Sequence, residues 1–215
     1  MGRLAAFTLF TLFSTSMLAQ VQPGDYESKI DELKEKFPNS MVIDSEFELA
    51  YYTALSFYPE FRGVAIIVRF AAIKTSMQCR PSFGSFISSR RQYVIEVNKD
   101  KLSPIYPLHA SFSALVGCFG HELAHIRRYE SQSKWQIILD GIKFVSSQHF
   151  RSRYEKATDK IAAQQGLGYE QYEFAKYLFE HPDIPQAYLA FKKAVYHSPR
   201  ELLMIHKENA AQTKQ

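Results

Sequence analysis

The segment Gly120-His121-Glu122-Leu123-Ala124-His125 decides how this chain is interpreted. Residues four apart on an α-helix differ by only about 40° around the axis, so His121 and His125 project from one face, one turn apart. Two imidazoles at that spacing can bind one zinc ion through neutral ring nitrogens. Glu122 follows the first histidine and can act as a general base on a water beside the ion. The segment therefore predicts a helix with two metal ligands and one base.

The residues around this segment favour a buried helix. Leu108–Tyr129 is apolar on most of its surface through its first half, and a helix of that kind belongs in the centre of a domain. A buried pair of histidines needs polar partners, which metal ligation would supply. The alternative, a buried helix that binds no metal, stays open.

A second helical segment offers further ligands. A catalytic zinc ion needs a third protein ligand and an open position for water. The predicted helix His149–Gln165 contains Glu155 and Asp159, again one turn apart on one face. Glu155 can complete the zinc site, and Asp159 can accept a hydrogen bond from the second nitrogen of a ligating histidine. The alternative is a solvated helix face that also carries Lys156 and Lys160.

The rest of the chain predicts one α+β domain over residues 20–215, because no repeat or linker divides it. One or two strands are expected over Gly63–Met77, and alternating apolar residues predict a half-buried strand over Arg91–Asn98. Gly166-Leu167-Gly168 predicts the end of a helix. The remaining predicted helices are Asp25–Phe37, Glu46–Phe57, Lys134–Val145, Tyr169–Glu180, Pro185–Tyr196 and Pro199–Asn209.

HExxH followed by a helix with ExxxD resembles the gluzincin group of zinc peptidases, whose small members are called minigluzincins. The resemblance covers roughly Tyr93–Gly168, and Thr158 stands where the group usually has Ala. It implies a zincin-like fold, in which a small sheet packs its edge strand on an active-site helix, with a backing helix and further C-terminal helices. It also implies that Arg91–Asn98 is the edge strand above the cleft, where an extended peptide would pair. The metzincin pattern is excluded, because residues 126–131 contain neither its glycine nor its third histidine.

The resemblance implies roles for five residues. His121, His125 and Glu155 would bind Zn²⁺, and Asp159 would support a ligand. Glu122 would be the general base when a zinc-activated water hydrolyses a peptide bond, which makes the protein a metalloendopeptidase acting on peptides or proteins. The alternative is a catalytically inactive, zincin-like exported binding protein. The intact Glu122 favours the enzyme, because a binding module has no use for the base.

The first residues resemble an export signal. Arg3 gives a short positive region, Leu4–Phe13 is an apolar run, and Ala19 is a small residue suited to the end of a signal peptide. We therefore expect residues 1–19 to be removed and the protein to be periplasmic or secreted, with no transmembrane segment left. A formal charge of +4 is too small to indicate nucleic-acid binding.

Three residues carry open questions. Cys79 and Cys118 can form one disulfide in an oxidising compartment or remain two thiols, and the sequence does not choose between these outcomes. His197 can approach the cleft and stabilise an oxyanion, although no spacing supports this role.

Overall fold

A computed structural model describes residues 20–212 of the chain. The predicted signal peptide, residues 1–19, lies outside the described residues. The fold is α+β, with helices around one small sheet. No helix among the described residues is both long and apolar enough to cross a membrane.

The sheet has four strands in the order β1-β2-β4-β3. Strands β1, β2 and β4 are parallel, and β3 runs antiparallel to β4 at the edge. The strands are β1 (Ser40–Val42), β2 (Ala65–Ala71), β3 (Met77–Pro81) and β4 (Gln92–Asn98). The predicted strand over Gly63–Met77 is therefore β2, and the second strand starts only at Met77.

The expectation that Arg91–Asn98 forms the edge strand is wrong. This segment is β4, which lies between β2 and β3, and it is buried on both faces rather than on one. The polar residue Glu96 is buried there because Arg69 and Arg80 bind its carboxylate. The edge strand next to β4 is β3, which ends at Pro81. Proline is tolerated at a sheet edge because no partner needs its missing N–H.

The helices agree with the predicted ones to within a few residues, except at the N-terminus. There the helix begins only at Ile30, after two 3-10 turns. The bounds are α1 (Ile30–Lys36), α2 (Glu48–Ser56), α3 (Phe112–Glu130), α4 (Lys134–Ser146), α5 (Gln148–Ala162), α6 (Gly168–Glu180), α7 (Gln186–Val195) and α8 (Pro199–Gln212). The predicted stop after α5 is confirmed, since Gly166 has a φ of 99°, which favours glycine.

Helix α3 is the centre of the molecule, as its apolar sequence predicts. Ser111 caps it by accepting a hydrogen bond from the Ala114 amide. At Gly117 the backbone of α6 comes so close that a Cβ would lie 2.1 Å from the Glu170 carbonyl oxygen. The buried Tyr58 hydroxyl donates to the Gly120 carbonyl at 2.7 Å. These contacts fix α3 immediately before His121.

Candidate metal centre

Helices α3 and α5 bring His121, His125 and Glu155 together. Glu155 Oε2 lies 3.0 Å from His121 Nε2 and 3.4 Å from His125 Nε2. One ligand atom from each of the three residues lies within 4.8 Å of the others. Ser147 caps α5 and so sets where this helix begins. The structure thus brings together the three residues that the sequence predicted as ligands.

The donor set fits a zinc ion. For ligand bonds of about 2.0 to 2.1 Å, a tetrahedral site separates two donor atoms by about 3.3 Å, and Glu155 Oε2 lies at 3.0 and 3.4 Å from the two imidazole nitrogens. Two imidazoles and one carboxylate form a known catalytic zinc set. The ring of His125 is stacked at 19° against both Tyr129 and Tyr154, which fixes its orientation.

Asp159 links His121 to His197. Its Oδ1 lies 2.9 Å from Nδ1 of His121, and its Oδ2 lies 2.9 Å from Nδ1 of His197. Oδ2 also accepts the His197 backbone N–H at 3.4 Å. Asp159 is therefore placed to hold the ring of His121, as predicted, while its second oxygen is held by the segment after α7.

The charges in the centre follow from these contacts. Both ring nitrogens of His121 lie within hydrogen-bond distance of carboxylate oxygens. Burial alone would lower the pKa of His121, but the hydrogen bonds to Asp159 and Glu155 raise it to about 10. Burial would raise the pKa of Glu155. The charge of His125 and the hydrogen bond with His121 nevertheless keep the pKa of Glu155 well below its usual value. The centre is thus arranged to hold positive charge.

Glu122 lies beside His121, His125 and Glu155, and one of its carboxylate oxygens has no hydrogen-bond partner among the described residues. Its side chain is only 6% exposed, and Oε2 has no hydrogen-bond partner among residues 20–212. Burial raises the pKa of the Glu122 carboxyl, while the neighbouring histidines act against that rise. A buried carboxylate oxygen without a partner is costly, and groups of this kind are candidates for a functional site.

Two cavities meet at Glu122 and Tyr196. The larger, called the cleft here, has a volume of about 570 Å³ and runs along β3 past His125 and Glu155. The smaller cavity, about 60 Å³, lies between α3, α6 and α7, and both polar atoms of the Gln171 amide are buried there without a hydrogen bond among the described residues. The centre therefore opens onto a long cleft with a small recess at one end, which contains the Gln171 amide.

The two cysteines are free thiols, and they lie on different elements. Cys79 is on β3 and lines the cleft, whereas Cys118 is on α3 and lines the small cavity. Burial raises the pKa of both thiols well above the usual value, so neither has the character of a reactive thiolate.

His197 is at the centre, but its ring nitrogen binds Asp159 and the side chain is 8% exposed. His197 therefore contacts Asp159, the residue that holds the ring of His121. Tyr196, whose ring centroid is 5.8 Å from that of His121, and Lys192, 3.8 Å from the centre of the Tyr196 ring, were not predicted. They come from α7 and its end, and no fixed spacing from HExxH indicates them.

Thr158, which departs from the usual pattern, leaves the centre intact. It is fully buried, and its hydroxyl donates to the Tyr154 carbonyl one turn earlier at 3.0 Å. Comparison with known proteins gave no match to this chain among family models, curated proteins or solved structures.

Proposed function

We propose that this protein is a zinc-dependent metalloendopeptidase of the gluzincin type with a zincin-like, minigluzincin fold. One observation carries the proposal. Glu155 Oε2 lies at tetrahedral separations from the ring nitrogens of His121 and His125, and Glu122 lies beside them with a carboxylate oxygen that has no partner among the described residues. A structural helix would not need that carboxylate, because a buried acceptor without a partner destabilises the fold.

A zinc ion held there would supply Lewis acidity, which makes a water easier to deprotonate and a carbonyl easier to attack. Glu122 is the general base in this proposal. Its raised pKa suits a group that first accepts a proton from water and then gives it to the leaving amine. Asp159 accepts from His121 Nδ1 and thereby keeps Nε2 directed at the ion.

Tyr196 is available as a hydrogen-bond donor at the junction of the two cavities. Burial raises the pKa of its hydroxyl well above the usual value, so the hydroxyl keeps its proton at neutral pH. A donor at that place can stabilise negative charge that develops on a substrate oxygen.

The proposed substrate is a peptide bound in extended form along β3. This strand is the edge of the sheet beside α3, and an edge strand has free backbone groups that can pair with another chain. The cleft beside it is lined by apolar side chains from several elements, among them Phe83, Phe86, Ile137, Phe144 and Phe191. We therefore propose a preference for peptides with large apolar residues.

The proposal also includes export. Residues 1–19 carry the pattern of a signal peptide, so the protein would act in the periplasm or outside the cell.

The test measures bound zinc and peptide cleavage separately. Wild type should hold one zinc ion per chain, and His121→Ala or Glu155→Ala should lose it. Glu122→Gln should keep the zinc and lose at least 100-fold in cleavage of a broad peptide library, because a positioned base contributes about 10² to 10⁴. Glu32→Gln, on the exposed side of α1, is the matched control and should behave as wild type.

The outcomes separate the two candidates. Wild type without zinc, and with stability unchanged by His121→Ala, would contradict the metal centre. If wild type and Glu122→Gln both hold zinc and are equally inert on the library, the catalytic part of the proposal fails. The inactive exported binding protein is then the better description.

A further inference from the structure

The outer face of α4 is apolar and exposed, although the helix is part of the cleft wall. Seven of the eleven exposed large apolar side chains among residues 20–212 lie on α4 or on the loop 82–91 beside it. Lys134 joins the two elements, because its ammonium donates to the carbonyls of Phe86 and Ser88. We call these seven the outer surface: Phe83, Ile87, Trp135, Ile138, Leu139, Ile142 and Val145. Phe83 and Ile138 lie at its border with the cleft, which they also line. Such a concentration marks an interaction site.

The five apolar residues on α4 form one continuous stripe. At about 100° per residue they span about 120° of the helix circumference. Lys134 and Lys143 lie at the two margins of this stripe. The opposite side, with Ile137 and Phe144, faces the cleft. An apolar stripe with basic margins and an exposed tryptophan is typical of a helix that lies in the plane of a membrane surface.

The charge around the outer surface is strongly positive. Segments 82–91 and 132–154 contain six basic residues, and the one acidic residue in these two segments is Asp140. The six are Arg90, Arg91, Lys134, Lys143, Arg151 and Arg153. Within the described part of the chain none of them is in a salt bridge, although Arg91, Lys134 and Arg151 donate to backbone carbonyls. Arg151 also lines the cleft, so the positive charge extends from the outer surface to the cleft. Anionic headgroups complement this charge, and each basic group near such a surface adds to binding.

We propose that the outer surface docks this protein onto an anionic membrane surface, with the stripe of α4 buried among the lipid headgroups and the basic residues on the lipid phosphates. A second copy of the chain is a poorer occupant, because a two-fold contact would bring together the like charges of Lys134 and Lys143, which lie at the margins of the stripe, from each copy. Docking would place the cleft at the membrane surface, since α4 lines the cleft with its other side. The proposal does not depend on catalysis.

The test uses Trp135, the one tryptophan of the chain, as its probe. Vesicles of phosphatidylcholine with about 30% phosphatidylglycerol should shift its emission to shorter wavelength. The purified mature chain, residues 20–215, should sediment together with these vesicles. Vesicles of phosphatidylcholine alone should bind much less. Raising the salt concentration should weaken binding to the anionic vesicles, because screening weakens the electrostatic part.

Two variants, with a matched control, test whether the apolar stripe of α4 and Lys143 contribute to vesicle binding. The double variant Leu139→Ser, Ile142→Ser keeps Trp135 and changes side chains that are 52% and 57% exposed, so the fold should tolerate it. Burial of one such side chain favours partition by about tenfold or more, and half of each is already buried. We therefore expect roughly a 20-fold loss in the partition coefficient. Lys143→Gln should lower it by about fivefold on anionic vesicles.

The control is the double variant Met41→Ser, Met204→Ser, which changes two side chains of similar exposure outside the outer surface. It should bind vesicles as wild type does. Equal binding of wild type and the α4 double variant, or no emission shift of wild type on anionic vesicles, overturns the proposal. So does a dimer, seen by analytical ultracentrifugation, that the α4 double variant abolishes.

Discussion

Replacing Asp159 by Asn removes one of the two carboxylate oxygens that accept hydrogen bonds from His121 and His197. In wild type the two carboxylate oxygens accept from His121 Nδ1, from His197 Nδ1 and from the His197 backbone N–H. An amide has one oxygen, so if it faces His121 its NH₂ group faces the His197 backbone N–H. The variant must therefore lose at least one of these hydrogen bonds while its shape is kept.

The expected loss is in zinc affinity. Replacing the partner of a ligating histidine lowers metal affinity by about 10- to 100-fold, which corresponds to about 1.4 to 2.7 kcal/mol. Asp159→Asn should therefore raise the zinc Kd by that factor in a competition titration with a fluorescent chelator at neutral pH. Circular dichroism at the same temperature should show a folded variant.

The matched control is Asp140→Asn. That carboxylate accepts from Gln132 Nε2 at 2.7 Å and belongs to the cleft wall rather than to the centre, so its zinc Kd should stay within about twofold of wild type. If Asp159→Asn also stays within that limit, Asp159 does not support His121, and the reasoning from its hydrogen bonds is refuted.

Two further predictions concern stability. Gly117→Ala should lower the free energy of unfolding by about 2 kcal/mol or more, since its Cβ would lie 2.1 Å from the Glu170 carbonyl; Gly141→Ala, with open space around it, should be neutral or stabilising. Urea denaturation of both tests this, and equal effects would contradict the close approach of α3 and α6. For Glu96, burial would raise the pKa, but hydrogen bonds from two arginines and a glutamine lower it to about 2. The ionised Glu96 therefore stabilises the fold at pH values above its ordinary pKa of 4.5. This stabilisation is lost as the pH falls towards 2. Glu96→Gln should cost about 1 kcal/mol at pH 7, allowing for the half-exposed arginines, and the difference from wild type should narrow below about pH 4.5; a constant difference would rule out the charge as its origin.

The sequence predicted the ligand group because the relevant geometry is local. His121 and His125 share a face by helix periodicity alone, and the same holds for Glu155 and Asp159. We could predict that these two pairs lie close together because a catalytic zinc site with two histidines needs a third protein ligand. The end of α5 was predictable for the same local reason, through the stop at Gly166, whereas α3 begins at Phe112, after its Ser111 cap, rather than at the predicted Leu108.

The order of the strands was not predictable from the alternation of apolar residues. The pattern of β4 indicates one buried face. Its second face is also buried, and there arginine side chains from the neighbouring strands β2 and β3 bind Glu96. Met77–Pro81 has little of the β-branched character that favours strands. It forms the edge strand through pairing with β4, which is a contact between segments.

What the sequence by itself determined is thus the set of groups that one helical turn brings together: two histidines with a glutamate, and a second glutamate with an aspartate. Tertiary structure decided which other residues reach them, such as His197 on Asp159, and which side of α4 faces outward. The physical reason is the distance along the chain over which each interaction acts. Helix periodicity acts over four residues, whereas burial and strand pairing depend on segments far apart in the chain.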